Sequence, residues 1–177
     1  CILTDASNEM PTTASEMLMY RGVASTVTKS ATISTSYATL DSHTQGTFTA
    51  PSSGVVEVTL NFYCVSSNES IQARLVKGGT STEFRSAYSI DSDDCVSTEG
   101  TYVFETGTYD NVQTNVTMKW ILSELSSGSS YAIDAQVRTN TGTAAAKFGS
   151  SAALANYPPL ILKVVSVPTS SFYLYTP

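Results

Sequence analysis

The stretch TFTAPSSGVVEVTLNFYC, from Thr47 to Cys64, determines the fold prediction. Pro51 and Gly54 are typical turn residues, and side chains after Gly54 alternate along the chain. A period of two is typical of a β-strand with one buried face. The side chains predicted to share that buried face are Val56, Val58, Leu60, Phe62 and Cys64.

The same alternation recurs in IQARLV, NVTMKWIL and YAIDAQVR, and Trp120 falls on the apolar phase of its segment. Further candidate strands are ATISTSYATL, EFRSAYSI, TYVFETG and LILKVVSV. The Ser/Gly-rich segment from Ser123 to Ser130 has the length of a hairpin turn. We therefore predict an all-β fold of roughly nine or ten strands, an antiparallel β-sandwich or jelly roll.

Composition excludes several classes of protein. The chain has 177 residues, which favours one domain, and only 14% of them are charged. A formal net charge of −6 argues against binding to nucleic acid, whose phosphates it would repel. Apolar runs are all shorter than the roughly 18 residues of a membrane span, so we expect no membrane insertion.

Three segments differ in character. Residues 1–23 hold three of the four methionines, and we interpret them as an irregular N-terminal arm or connector, with a turn of helix capped by Thr13. Residues 24–167 carry the strand pattern and form the predicted domain. Residues 168–177 are a short aromatic tail.

The sequence offers little for catalysis. His43 is the only histidine, no serine lies in a nucleophile motif, and we predict no catalytic or cofactor-binding residue. Zinc ligands lack any suitable spacing. DSDD supplies a weak calcium candidate, Asp91, Asp93 and Asp94, although a solvated acidic loop explains it as well. Glu57 on a polar strand face leaves a small glycosidase or lyase as a third, weaker option.

The three cysteines cannot form a disulfide framework. Two interpretations of Cys64 remain open. It forms a disulfide with Cys95, or it is a small core residue on the apolar face of its strand.

Two phrases resemble a known family. The pattern Phe-x-Ala-Pro-x-x-Gly-x-h-x-h, where h is apolar, resembles the jelly rolls of complement-type globular heads and tumour necrosis factor, and of similar phage and viral fibre heads. A second phrase of that family is L-x-x-L-x-x-G-x-x-Y-x-I. The residues that carry the two phrases are Phe48, Ala50, Pro51, Gly54, Val56 and Val58, and Leu122, Leu125, Gly128, Tyr131 and Ile133.

The resemblance implies a homotrimer of jelly rolls about a threefold axis. The sequence has no Gly-x-y stalk like that of the animal members, and its Ser/Thr/Ala-rich, Lys-poor composition is more similar to virion surface modules. We therefore expect a non-enzymatic fibre head, tail knob or capsid-decorating protein at the virion surface. Its partners would be virion proteins, through the arm, and a host glycan or protein.

The alternative is a monomeric, secreted carbohydrate-binding β-sandwich. The chain has ten tyrosines, and their flat faces suit sugar rings as well as protein interfaces.

Overall fold

The computed structural model describes residues 15–23, 29–66, 70–80, 82–84, 86–89, 101–105, 112–140, 142–151 and 155–168. Within these ranges the protein is all-β, with thirteen strands and one short 3-10 helix, Ser42–Thr44. The strands are β1 Met17–Val23, β2 Lys29–Ile33, β3 Ala38–Thr39, β4 Gln45–Thr49, β5 Val56–Ser66, β6 Ser70–Lys77, β7 Ser86–Ser89, β8 Thr101–Glu105, β9 Val112–Leu122, β10 Ser130–Thr139, β11 Ala144–Ser151, β12 Ala155–Tyr157 and β13 Leu160–Ser166. Every pair of these strands that shares a ladder is antiparallel.

The larger sheet has eight strands, with β5 at its centre. One edge of β5 pairs with β9 over residues 56–66. Its other edge pairs with β13 over residues 56–61 and with β11 over residues 63–66. Around this centre, β1 pairs with β13, β7 with β9, and both β2 and β12 with β11.

The smaller sheet has five strands and is arranged around β10. β10 pairs with β6 on one edge and with β3 and β4 on the other, and β6 pairs in turn with β8. The inward faces of the two sheets share one hydrophobic core, which is the arrangement of a β-sandwich. The apolar phases predicted for Val56, Val58, Leu60, Phe62 and Trp120 are confirmed, since each is 1% exposed or less, and Phe48 of the first family-like phrase is also buried in the core at 3%.

The number of strands exceeds the nine or ten that were predicted. ATISTSYATL is interrupted at residues 34–37 and therefore forms β2 and β3 instead of one strand. The strands β1, β4, β11 and β12 were not predicted as strands, and three of them carry few large apolar side chains.

Part of the predicted N-terminal arm belongs to the larger sheet. Residues 17–23 form β1, which pairs with β13 through Val23 and Leu160 at one end, so these residues do not form the expected helical turn. Met19 points into the core and is 8% exposed, whereas Met17 and Tyr20 are exposed. Pairing with β13 satisfies the backbone of this segment, and it outweighs the helix propensity of methionine.

The segment between β9 and β10 is not a hairpin turn, contrary to the prediction. β9 lies in the larger sheet and β10 in the smaller one, so residues 123–129 carry the chain from one sheet to the other. This crossing loop forms backbone hydrogen bonds to the Pro51–Gly54 turn instead. Leu125 donates to the carbonyl of Gly54 at 3.1 Å, and Gly128 donates to the carbonyl of Ala50 at 2.9 Å.

The two family-like phrases therefore meet at one end of the sandwich. In addition to those backbone bonds, the rings of Phe48 and Tyr131 stack with their centroids 5.9 Å apart. The backbone N–H of Ser126 donates to the Tyr131 hydroxyl at 2.9 Å. The stretch from Thr47 to Cys64 therefore connects the two sheets through its contacts with the crossing loop and with Tyr131.

Candidate functional site

His43 does not belong to a nucleophilic triad in the described part of the chain. Its Nδ1 contacts Oδ1 of Asp41, and the Lys29 Nζ lies 3.8 Å from the other oxygen of that carboxylate. Burial would raise the pKa of Asp41, but hydrogen bonds from His43 and the Lys29 charge outweigh burial and lower it. Among the described residues, no hydroxyl or thiol is hydrogen-bonded to the His43 ring, so this pair stabilises the loop before β4.

Glu57 is held in an ion pair on the outer face of β5. Its Oε1 lies 3.2 Å from the Lys119 Nζ and accepts a hydrogen bond from the Thr59 hydroxyl at 3.2 Å. Paired in this way, Glu57 contributes to the outer surface of the sheet.

The sequence contains one candidate calcium site. Asp91, Asp93 and Asp94 fall outside the described residues. In the ranges that the structure does describe, no three His, Cys, Asp or Glu side chains come together as a metal site would require. Those ranges likewise contain no helix with the length and hydropathy of a membrane span.

Cys64 is a free thiol, fully buried on the core face of β5. Its structure therefore matches the second interpretation, a small core residue, whereas Cys95 lies outside the described residues. Burial raises the pKa of the Cys64 thiol to about 11 from the ordinary value of 9.0, because the thiolate is poorly solvated there.

We expect this raised pKa to make the protein less stable between pH 9.0 and about 11. In that interval the unfolded chain releases the thiol proton while the folded chain keeps it. The contribution of the protonated thiol to the free energy of unfolding is therefore complete below pH 9.0 and is lost as the pH rises through about 11. Urea unfolding of the wild type and of Cys64→Ala, measured at about pH 8 and about pH 10, checks this expectation. The stability difference between the two proteins should shrink with pH, and an unchanged difference would contradict the assignment.

The outer face of the larger sheet carries an apolar patch that sequence reasoning missed. Tyr63, Val65, Ala145, Tyr157 and Ile161 lie on this face, and we call them the Tyr63 patch. The Tyr63 and Tyr157 ring centroids are 5.3 Å apart with an angle of 43° between the planes. All five side chains are half-buried within the single chain.

Few charged side chains lie around the Tyr63 patch. The Lys147 Nζ lies 5.5 Å from the Tyr157 ring centroid, where the ring attracts its charge. Asn61, directly opposite Ile161, donates its side-chain amide to the Thr117 hydroxyl at 2.6 Å. Low charge with paired tyrosines is the composition found at the centre of protein interfaces.

Only part of this patch can be predicted from the sequence. Tyr63 falls on the outward phase of β5, which alternation reveals. Tyr157 joins it because β11 pairs with both β5 and β12, and that arrangement depends on long-range pairing.

Comparison with known proteins does not place the chain in a family. No protein-family model matches it, and no curated protein matches it.

Proposed function

We propose that the protein is a non-enzymatic virion structural protein built as a homotrimer of jelly rolls: a phage or viral fibre head, tail knob or capsid-decorating protein. It acts in particle assembly and in attachment to the host surface. Its location is the surface of the particle, and residues preceding β1 connect it to other virion proteins.

The order of strand pairing supports a jelly roll. Such a fold can be described as a long antiparallel ribbon that pairs first strand with last and then wraps around the core. Here β1 pairs with β13, β4 with β10, β5 with β9, and β6 with β8, so each pair is nested inside the previous one. These pairs alternate between the two sheets, as wrapping of one ribbon requires.

The Tyr63 patch is the observation that supports the proposed homotrimer. A sheet face that bears half-buried tyrosines and aliphatic side chains, with Lys119 neutralised by Glu57 nearby, gains from being covered by a second copy. The family-like phrases around Pro51 and Gly54 favour three copies, because the proteins they resemble are trimers.

The rival proposal is a monomeric carbohydrate-binding sandwich, which requires exposed, coplanar aromatic rings. The Tyr63 and Tyr157 rings are inclined at 43° and half-buried, which suits an interface better than a flat sugar-binding surface. The large apolar side chains that are exposed in the described residues are Met17 and Tyr20, on the edge strand β1.

Light scattering coupled to size exclusion tests the proposal. We expect a mass of three times 18.8 kDa for the wild type and a monomer for Ile161→Asp, which places a charge in the Tyr63 patch. Thr47→Asp adds the same charge to an exposed position on the outer face of the smaller sheet and should remain trimeric. A wild-type monomer at micromolar concentration would refute the trimer.

A further inference from the structure

The outer face of the smaller sheet carries a second, polar surface. Gln72 and Arg74 on β6 lie opposite Arg138 and Gln136 on β10, and Asp134 follows on the same face of β10. Tyr37, from the segment between β2 and β3, lies over the two arginines. We call these six residues the Tyr37 cluster: Tyr37, Gln72, Arg74, Asp134, Gln136 and Arg138.

Arg74 is fully engaged within the protein. Its Nη1 donates to Oε1 of Glu83 at 3.0 Å, and its Nε and Nη2 donate to Oε1 of Gln136 at 3.1 and 2.9 Å. Its guanidinium carbon lies 4.3 Å from the Tyr37 ring centroid. Arg74 is therefore a structural member of the cluster, with its charge balanced by Glu83.

Arg138 is held at its Nε but is not neutralised. Its Nε donates to Oε1 of Gln72 at 2.7 Å, and its guanidinium carbon lies 4.7 Å from the Tyr37 centroid. Among the described residues it forms no ion pair, and its two terminal amino groups donate no hydrogen bond. A guanidinium fixed at its Nε with both terminal groups available is arranged to bind a carboxylate through two parallel hydrogen bonds.

Asp134 is a buried member of the cluster. It is only 4% exposed, although it lies on the outer face of β10. Its Oδ2 accepts from the Thr39 hydroxyl at 2.8 Å and from the Gln136 amide at 3.0 Å, whereas its Oδ1 is buried and accepts no hydrogen bond. Because Oδ1 is closed off from solvent, Asp134 acts within the cluster, where it holds the Gln136 side chain that accepts from Arg74.

We propose that the Tyr37 cluster binds an acidic saccharide, with the ligand carboxylate on the two terminal amino groups of Arg138. The charges of the surface decide between ligand classes. Glu83 balances Arg74, whereas Arg138 forms no ion pair among the described residues, so the cluster suits a ligand with one carboxylate. The further charges of a multiply phosphorylated ligand would be repelled by the Glu83 and Asp134 carboxylates.

This inference deepens the attachment role proposed above by giving it a ligand class, but it does not depend on the trimer. Binding is measured by calorimetry with three probes: 3′-sialyllactose, a glucuronic-acid disaccharide and neutral lactose. We expect binding of at least one acidic probe and none of lactose. Which acidic probe binds identifies the source of the carboxylate. Equal binding of lactose, or no binding of either acidic probe at millimolar concentration, would overturn the proposal.

Three variants locate the site. Arg138→Gln removes the charge and the terminal fork, and we expect affinity to fall about tenfold or more. Arg21→Gln makes the same change at an exposed position on β1 and should leave affinity unchanged. Arg138→Lys keeps the charge without the fork and should bind with intermediate affinity, so wild-type affinity in all three variants would contradict the assignment.

Light scattering on the same samples separates the two proposals. A trimer that binds no acidic saccharide disproves this inference alone, whereas a monomer that binds one through Arg138 disproves the trimer alone.

Discussion

Replacing Gly54 with alanine should lower the free energy of unfolding by about 2–4 kcal/mol. Gly54 has φ = +64°, which side chains other than glycine rarely adopt, and a Cβ built there would lie 2.7 Å from the carbonyl oxygen of Leu125. That oxygen belongs to the backbone of the crossing loop. Relieving the steric clash therefore requires the Pro51–Gly54 turn and the crossing loop to move apart. Urea unfolding of the wild type and of Gly54→Ala, at equal protein concentration, measures the effect.

Gly79 provides the matched control for this change. It has φ = +75°, close to that of Gly54, but a Cβ built there meets no heavy atom within 4 Å. Gly79→Ala should therefore lower the free energy of unfolding only by the cost of a positive φ in alanine, about 1 kcal/mol. If the two variants are destabilised equally, the contact between the Pro51–Gly54 turn and the crossing loop does not contribute to stability.

The second large effect is expected at Phe62. Phe62→Ala should destabilise the protein by about 3–5 kcal/mol, because it removes an aromatic ring and leaves a cavity that the surroundings fill only partly. Phe62 is 0% exposed and lies opposite Val116, where β5 and β9 pair in the larger sheet. The midpoint of urea unfolding should shift strongly, while the refolded protein keeps its β circular dichroism.

Thr117→Ala is the control for Phe62→Ala. Thr117 is the next residue along β9 and is exposed on the opposite face of the sheet, where it accepts one hydrogen bond from Asn61, so its truncation should change stability by about 1 kcal/mol or less. A small effect at Phe62, comparable with that at Thr117, would mean that β5 does not lie at the centre of the core.

Five of the strands predicted from sequence carry large apolar side chains at most of their inward positions. β5, β6, β9, β10 and β13 place valine, leucine, isoleucine or phenylalanine on the inward phase, and burial at each is nearly complete. Since a strand buried on one face shows a period of two, this part of the fold can be inferred without knowledge of its neighbours.

Other strands depend on their partners. The inward side chains of β11 begin with Ala144 and Ala146, which fill small spaces opposite β5 and carry little β-propensity. β1 contains two methionines and a leucine, which favour a helix locally, and only pairing with β13 makes it a strand.

The two candidate surfaces likewise depend on long-range pairing that the sequence does not reveal. Alternation alone places Arg74 and Arg138 on outward phases of their strands, but the register between β6 and β10 brings them together, and Tyr37 reaches them from a separate segment. The Ser123–Ser130 segment has the composition of a hairpin turn, yet turn composition does not determine which sheet the chain enters next.

The position of β13 has a consequence for the order of folding. β13 lies between β1 and β5, so the first strand of the larger sheet has no partner in it until residues 160–166 are available. Contacts between residues this far apart along the chain are slow to form, because a long loop must close before any pairing is gained. During synthesis, the larger sheet therefore cannot be completed until β13 has left the ribosome, and β1 has no partner in that sheet while the chain between the two strands is made.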